Sequence, residues 1–197
     1  MVDIMTYNLR TQIITVATDL FMKQGYVATS TRQIASILNV TQPAIYHHFK
    51  NKEEIFLEVI SQFAVEIGSD LNTILIKQQS KKDCLLEMAL YLRDKHKMNF
   101  TLMMNDLQHS VSKKTNSSIF SVWSENYFNP FIRYFESIEK FIIPELSTVV
   151  VSQHFLRILS SYISVSYSND VLDTIKIEDM INIFLRGITN HYFNQLT

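Results

Sequence analysis

The chain has 197 residues, 47% of them hydrophobic, with only three glycines, three prolines and one cysteine. So few breakers favour long helices over many short strands, a lone cysteine excludes an intrachain disulfide framework and fits a reducing cytosol, and no N-terminal signal pattern or uncharged run of ~18 residues points to export or membrane spanning. The net charge of −1 hides a basic head on an acidic body: residues 1–52 hold five basic and two acidic side chains, and residues 53–197 hold 13 basic and 17 acidic, an asymmetry that suits a polyanion partner at one end.

Leu9, Ile13, Ala17, Leu20 and Phe21 fall at helical spacing and predict a first helix to Lys23, stopped at Gly25. Ser30 with Gln33 has the form of a capping box, and Ile34, Ala35 and Leu38 give the second helix an inward face. Asn39 sits where the chain must turn and tolerates a left-handed backbone, while Val40 plugs the corner. Thr41 is placed to cap a third helix with Ile45 and Phe49 on its apolar side. Pro43 then falls in the first turn, where its missing N–H removes no intrahelical bond. Asn51 with Glu54 resembles another cap and opens a long fourth helix to about Lys77. Beyond it, Leu85–Leu92 and Phe100–Leu107 mark two helices, and 109–118 reads as a linker. An aromatic-rich helical segment, 119–143, is expected to break at Pro130, and helices over 147–167 and 177–195 close the chain, separated by a polar loop. The pattern is all-α.

Two short helices joined by a tight turn and braced by a preceding helix form a helix-turn-helix, whose second helix presents its first residues to base edges in the DNA major groove. Gln42 can pair with an adenine edge, and Pro43 and Ala44 can meet a thymine methyl. Tyr46, His47 and His48 can reach phosphate oxygens. Arg32, Lys50 and Lys52 add positive charge, and the starts of the second and fourth helices are natural phosphate sites. Adjacent His47 and His48 do not share a helix face, and no acid or thiol nearby completes a ligand set, so no metal is expected.

Residues 10–60, with "ATDLFMKQGY", "TSTRQIA" and "NVTQPAIYHHFKNKEE" in that order, resemble the N-terminal domain of the TetR/AcrR family of bacterial transcriptional regulators. The resemblance implies DNA contacts from Thr31, Arg32, Gln42, Pro43, Ala44, Tyr46, His47, His48 and Lys52. Asn39 departs from the glycine usual in the family's turn, and His47 from a larger aromatic. The family further implies residues 1–50 as the DNA-binding domain, joined by the long helix to a ligand-sensing and dimerisation body over 51–197. The protein expected is a cytoplasmic homodimeric repressor that leaves a palindromic operator when a small effector binds.

The body supports this modestly. Ser160, Ser161 and Ser164 could let another helix approach, and Ile181, Phe184, Leu185, Ile188 and Tyr192 form an apolar stripe that serves either an interface or the protein's own core. Met88, Tyr91, Met103, Met104 and His109 combine apolar bulk with polar tips, as a small-molecule cavity requires, and so do Trp123, Tyr127, Arg133, Tyr134, His154 and Tyr162. A body that docks a protein partner instead of a small molecule is the alternative. The sequence holds no phosphate loop, CxxC, HExxH or GxSxG motif, so neither an enzyme nor a cofactor is expected.

Overall fold

The computed structural model describes residues 3–77, 80–95, 111–165 and 170–189. Nine α-helices lie among the described residues: α1 Asp3–Ala28, α2 Thr31–Ile37, α3 Gln42–His48, α4 Lys52–Leu75, α5 Lys81–Lys95, α6 Lys113–Trp123, α7 Asn129–Glu136, α8 Thr148–Val165 and α9 Asp170–Ile188. A π-helical turn, Ser124–Phe128, joins α6 to α7, and a short 3-10 turn, Glu139–Phe141, follows α7. The only sheet-like pairing among the described residues is an isolated bridge between Ile142 and Thr189. Two compact units result: Met1–Ala64 with Met98–Val122, and Val65–Lys97 with Trp123–Thr197.

In the first unit the predicted punctuation is in place. Gly25 breaks α1 with φ 84° and ψ 169°, a conformation that favours glycine. Ser30 and Gln33 form both halves of a capping box at α2. Asn39 takes φ 54° between α2 and α3, closed by Val40 N–H donating to Ala35 at 2.9 Å. Thr41 is the residue before α3 but makes no side-chain cap; its extended backbone alone starts the helix. The core of this unit is Ile13, Ala17, Phe21, Ile34, Ile45, Phe49, Ile55 and Phe56. Phe56 meets Phe21 edge-on at 5.0 Å and Tyr26 at 4.8 Å.

The second unit packs α7 on α8 and α9 on α5 and α8. Phe131, Tyr134, Phe135 and Phe155 are fully enclosed there. Sequence patterning missed two boundaries. Residues 113–118, read as linker, form the start of α6, because Ser112 caps the helix for Thr115 and its polar side faces out. The polar loop before the last helix is shorter than expected, since α9 begins at Asp170. The helix expected over Phe100–Leu107 lies outside the described residues.

Candidate nucleic-acid interface

The inward residues of α3 are Ile45 and, just past its end, Phe49, both buried. That anchoring turns Pro43, Tyr46 and His47 outward as exposed side chains, with Gln42, Ala44 and His48 half-buried beside them. Arg32, in the first turn of α2, is exposed as well. Thr31 is not: it is 6% exposed. Its Oγ1 accepts from Gln42 Nε2 at 2.9 Å and lies 3.2 Å from Tyr46 Oη. These three side chains tie the start of α2 to the first turn of α3.

His47 and His48 meet edge to face at 5.5 Å. Partial burial, together with the charges of His47 and Arg10, holds His48 below the usual imidazole range, so it is neutral near pH 7 and offers hydrogen bonds without a charge. Arg10 reaches from α1 across the Phe49 ring, 4.9 Å from its centre, and pairs with Glu58 at 3.0 Å.

Lys52 differs from the free phosphate anchor that its position suggests. Its Nζ donates to the carbonyls of Tyr26 and Thr29, each at 2.9 Å, and sits 4.0 Å from the centre of the Tyr26 ring. It closes the end of α1 against α4. The next two residues were not singled out as site residues by sequence reasoning. Glu53 accepts from Ser112 N–H at 3.0 Å, Ser112 Oγ at 2.9 Å and Thr115 Oγ1 at 2.8 Å. The Thr115 bond, with those from Ser112, holds its carboxyl below the ordinary value of 4.5 against the opposing effect of burial. Glu54 accepts from the Lys50 backbone N–H at 2.6 Å while its own N–H donates to Asn51 Oδ1 at 2.8 Å. Three consecutive residues therefore grip three different segments. Only the Asn51–Glu54 spacing carried a sequence signal.

The residues suggested for an effector cavity do not all share one environment. Met88, Trp123, Tyr127 and Tyr134 are buried in the second unit, and Trp123 and Tyr127 rings lie 4.8 Å apart. Tyr134 donates to the Lys81 carbonyl at 2.8 Å, and burial raises the phenols of Tyr127 and Tyr134 far above their usual range. Tyr91 donates to Asp70 at 2.6 Å and lines a shallow groove of about 360 Å³ with Ile74, Leu86 and Leu90. Arg133 donates to Asn72 Oδ1 at 2.6 Å, Tyr162 is half-buried, and His154 is exposed on α8. Met103, Met104 and His109 lie outside the described residues. In the last helix, Ile181, Leu185 and Ile188 are buried in their own core, and Phe184 packs against Phe135 and Phe155 at 6.0 and 5.3 Å. Among the described side chains of α9, the large apolar one facing out is Ile183, 72% exposed.

A short exposed helix, held across a left-handed turn by a second short helix, defines a helix-turn-helix protein. Residues 13–59 match the model of the bacterial regulatory proteins of the tetR family. The regulator QacR of Staphylococcus aureus is 43% identical over 54 residues, 27% of this chain and 29% of that protein. The regulator YvkB of Bacillus subtilis is 31% identical over 52% of this chain and 57% of its own length. The chain thus spans about a quarter to just over half the length of the curated relatives it matches. The crystal structure of a TetR-family regulator from Mesorhizobium loti shares the fold at a TM-score of 0.74 and 17% identity, covering 94% of this chain and 98% of that one. Over residues 13–59 the chain is similar to the TetR/AcrR family of transcriptional regulators, and its fold is that of solved structures of that family.

Proposed function

We propose that the protein is a sequence-specific DNA-binding regulator, a homodimeric repressor that occupies a palindromic operator in the cytoplasm. The observation that carries this reading is the outward face of α3, where Gln42, Pro43, Ala44, Tyr46 and His47 stand over a core fixed by Ile45 and Phe49. Such a helix reads base edges with its first residues, and the flanking positive charge and helix starts hold phosphates. In this reading residues 1–50 contact DNA and residues 51–197 carry regulation and assembly.

One α3 covers a single half-site, so a palindrome needs two chains. The outer faces of the last two helices are suited to that pairing. Val150 and Ile158 on α8 are 43% and 39% exposed, near the small Ser161, and α9 exposes Ile183 one turn before Gly187. Burying this apolar surface against a second copy is favourable. A small, mainly apolar effector is supported by Met88, Trp123 and Tyr127, which bring apolar bulk with polar tips inside the second unit. It would release DNA by binding better to a body whose two heads no longer fit successive major grooves, about 34–36 Å apart.

Selection from a random duplex library with the purified full chain tests the reading. An enriched inverted repeat bound by two chains is expected, and Ile183→Glu should yield folded monomers that lose tight binding to it, because a buried unpaired charge costs several kcal/mol. A library with no enriched sequence, or an Ile183→Glu dimer in light scattering, would overturn the operator or the interface respectively.

A further inference from the structure

We propose that Thr31 is a specificity-positioning residue: its buried hydroxyl orients the Gln42 amide for a paired contact with adenine, and Thr31 itself does not touch DNA. This rests on the reading of α3 as the recognition helix. A glutamine side chain has three rotatable bonds, and at an exposed helix start it would sample many rotamers that must be frozen on binding. Here Gln42 is not loose. One amide hydrogen is committed to Thr31 Oγ1 at 2.9 Å, and Tyr46 Oη, 3.2 Å from the same oxygen, braces the hydroxyl from the next turn of α3. Tyr46 Oη lies 3.4 Å from the amide nitrogen, at the long limit of a hydrogen bond, so it adds little direct hold.

An amide has two hydrogens and one carbonyl. With one hydrogen held by Thr31, the other hydrogen and the carbonyl remain as a donor–acceptor pair. The major-groove edge of adenine presents the complement, an N7 acceptor and an N6 donor. Thr31 is too enclosed for the phosphate role that its position at the start of α2 suggests, at 6% exposure beside an exposed Arg32. The two neighbours therefore differ: Arg32 is open to solvent, and Thr31 faces Gln42.

The test is binding-site selection with the full chain and its Gln42→Ala, Thr31→Val and Thr31→Ser variants, with affinities on the selected and on random duplexes measured across a salt series. Gln42→Ala should lower the preference for adenine at one base pair per half-site by roughly tenfold or more. Thr31→Val, of equal shape without the hydroxyl, should flatten the same base pair while leaving random-duplex affinity and the salt slope unchanged; Thr31→Ser should restore the preference. Thr31→Ala removes the same hydroxyl and reads the same way if the valine variant does not fold. Selectivity retained in Thr31→Val or Thr31→Ala while Gln42→Ala loses it would overturn the positioning role alone. Equal loss on all duplexes with a salt slope lower by about one would make Thr31 a phosphate contact and overturn it too. Selectivity unchanged in Gln42→Ala would remove the recognition-helix reading beneath it.

Discussion

The two units of this chain are held together by different chemistry. In the first, the ends of elements are clipped by polar groups: Ser30 with Gln33, Asn51 with Glu54, Lys52 on two carbonyls, Glu53 on Ser112 and Thr115. In the second, alongside polar bonds such as Tyr134 to the Lys81 carbonyl, aromatic rings supply much of the order. Phe155 stands 5.6 Å from Phe131, 5.8 Å from Phe135 and 5.3 Å from Phe184. A clip fixes one geometry, because a hydrogen bond holds only within narrow limits of distance and angle. A ring cluster contributes more free energy but accepts several arrangements of similar quality. The face of α3 proposed to read DNA is thus built on the more geometrically exacting unit.

The largest effect should come from the ring cluster. Phe155→Ala should cost about 3–5 kcal/mol in urea unfolding, since Phe155 is fully buried against three rings. A loss below about 1 kcal/mol would mean that the cluster refills the space and that the second unit tolerates repacking freely.

Lys52→Met tests the clips. Two carbonyls lose their ammonium partner, for an expected cost of about 1–3 kcal/mol, and specific and random duplexes should weaken together as the end of α1 loosens. An unchanged melting temperature with a salt slope lower by about one would return Lys52 to a phosphate role.

Gly68 lies in the second unit, yet its packing is as exacting as any clip. A Cβ there would stand 2.9 Å from both the Asn126 carbonyl and its Oδ1. Asn126 belongs to the π-helical turn, where the backbone bulges toward α4. Alanine gains about 1 kcal/mol of helix propensity against an overpacking cost of about 1–3 kcal/mol. The melting temperature of Gly68→Ala should therefore fall. A rise would show that the π turn yields, and that Gly68 serves as a flexible point in α4.

The smallest change concerns Glu53→Gln, about 0.5–1.5 kcal/mol at neutral pH. The folded carboxyl titrates below 4.5, so in acid the unfolded chain binds more protons. The stabilisation is complete above the unfolded value and fades as pH falls through the folded one. Melting curves of the two proteins should accordingly converge in acid. A constant gap across pH would place the effect in shape rather than charge.

What could be read from the sequence divides along the same line. Capping pairs are local, so Ser30–Gln33, Asn39 and Asn51–Glu54 were legible within a few residues. Lys52 and Glu53 bond partners 23 to 62 residues away, and no local pattern announces them. Periodicity revealed that the last helix has an apolar stripe through Ile181, Leu185 and Ile188, but a stripe does not say what covers it. Only the packing shows that this one is core and that Ile183 faces out. Gln42 was legible as an outward residue in the first turn of α3; its hold by Thr31 depends on two helices meeting at one hydroxyl.

The three grips in the first turn of α4 set a rule for anyone who would rewire this protein. A head excised at residue 50 and grafted onto a foreign sensor would leave Lys52, Glu53 and Glu54 behind, and with them the closure of α1 and the brace on the turn before α4. Chimeras that exchange DNA specificity between regulators should join within α4 after Glu54 and bring Ser112 and Thr115 along, so the transplantable part is discontinuous in sequence. Libraries that randomise positions 52–54 to tune DNA affinity would, for the same reason, mostly return proteins with a damaged scaffold.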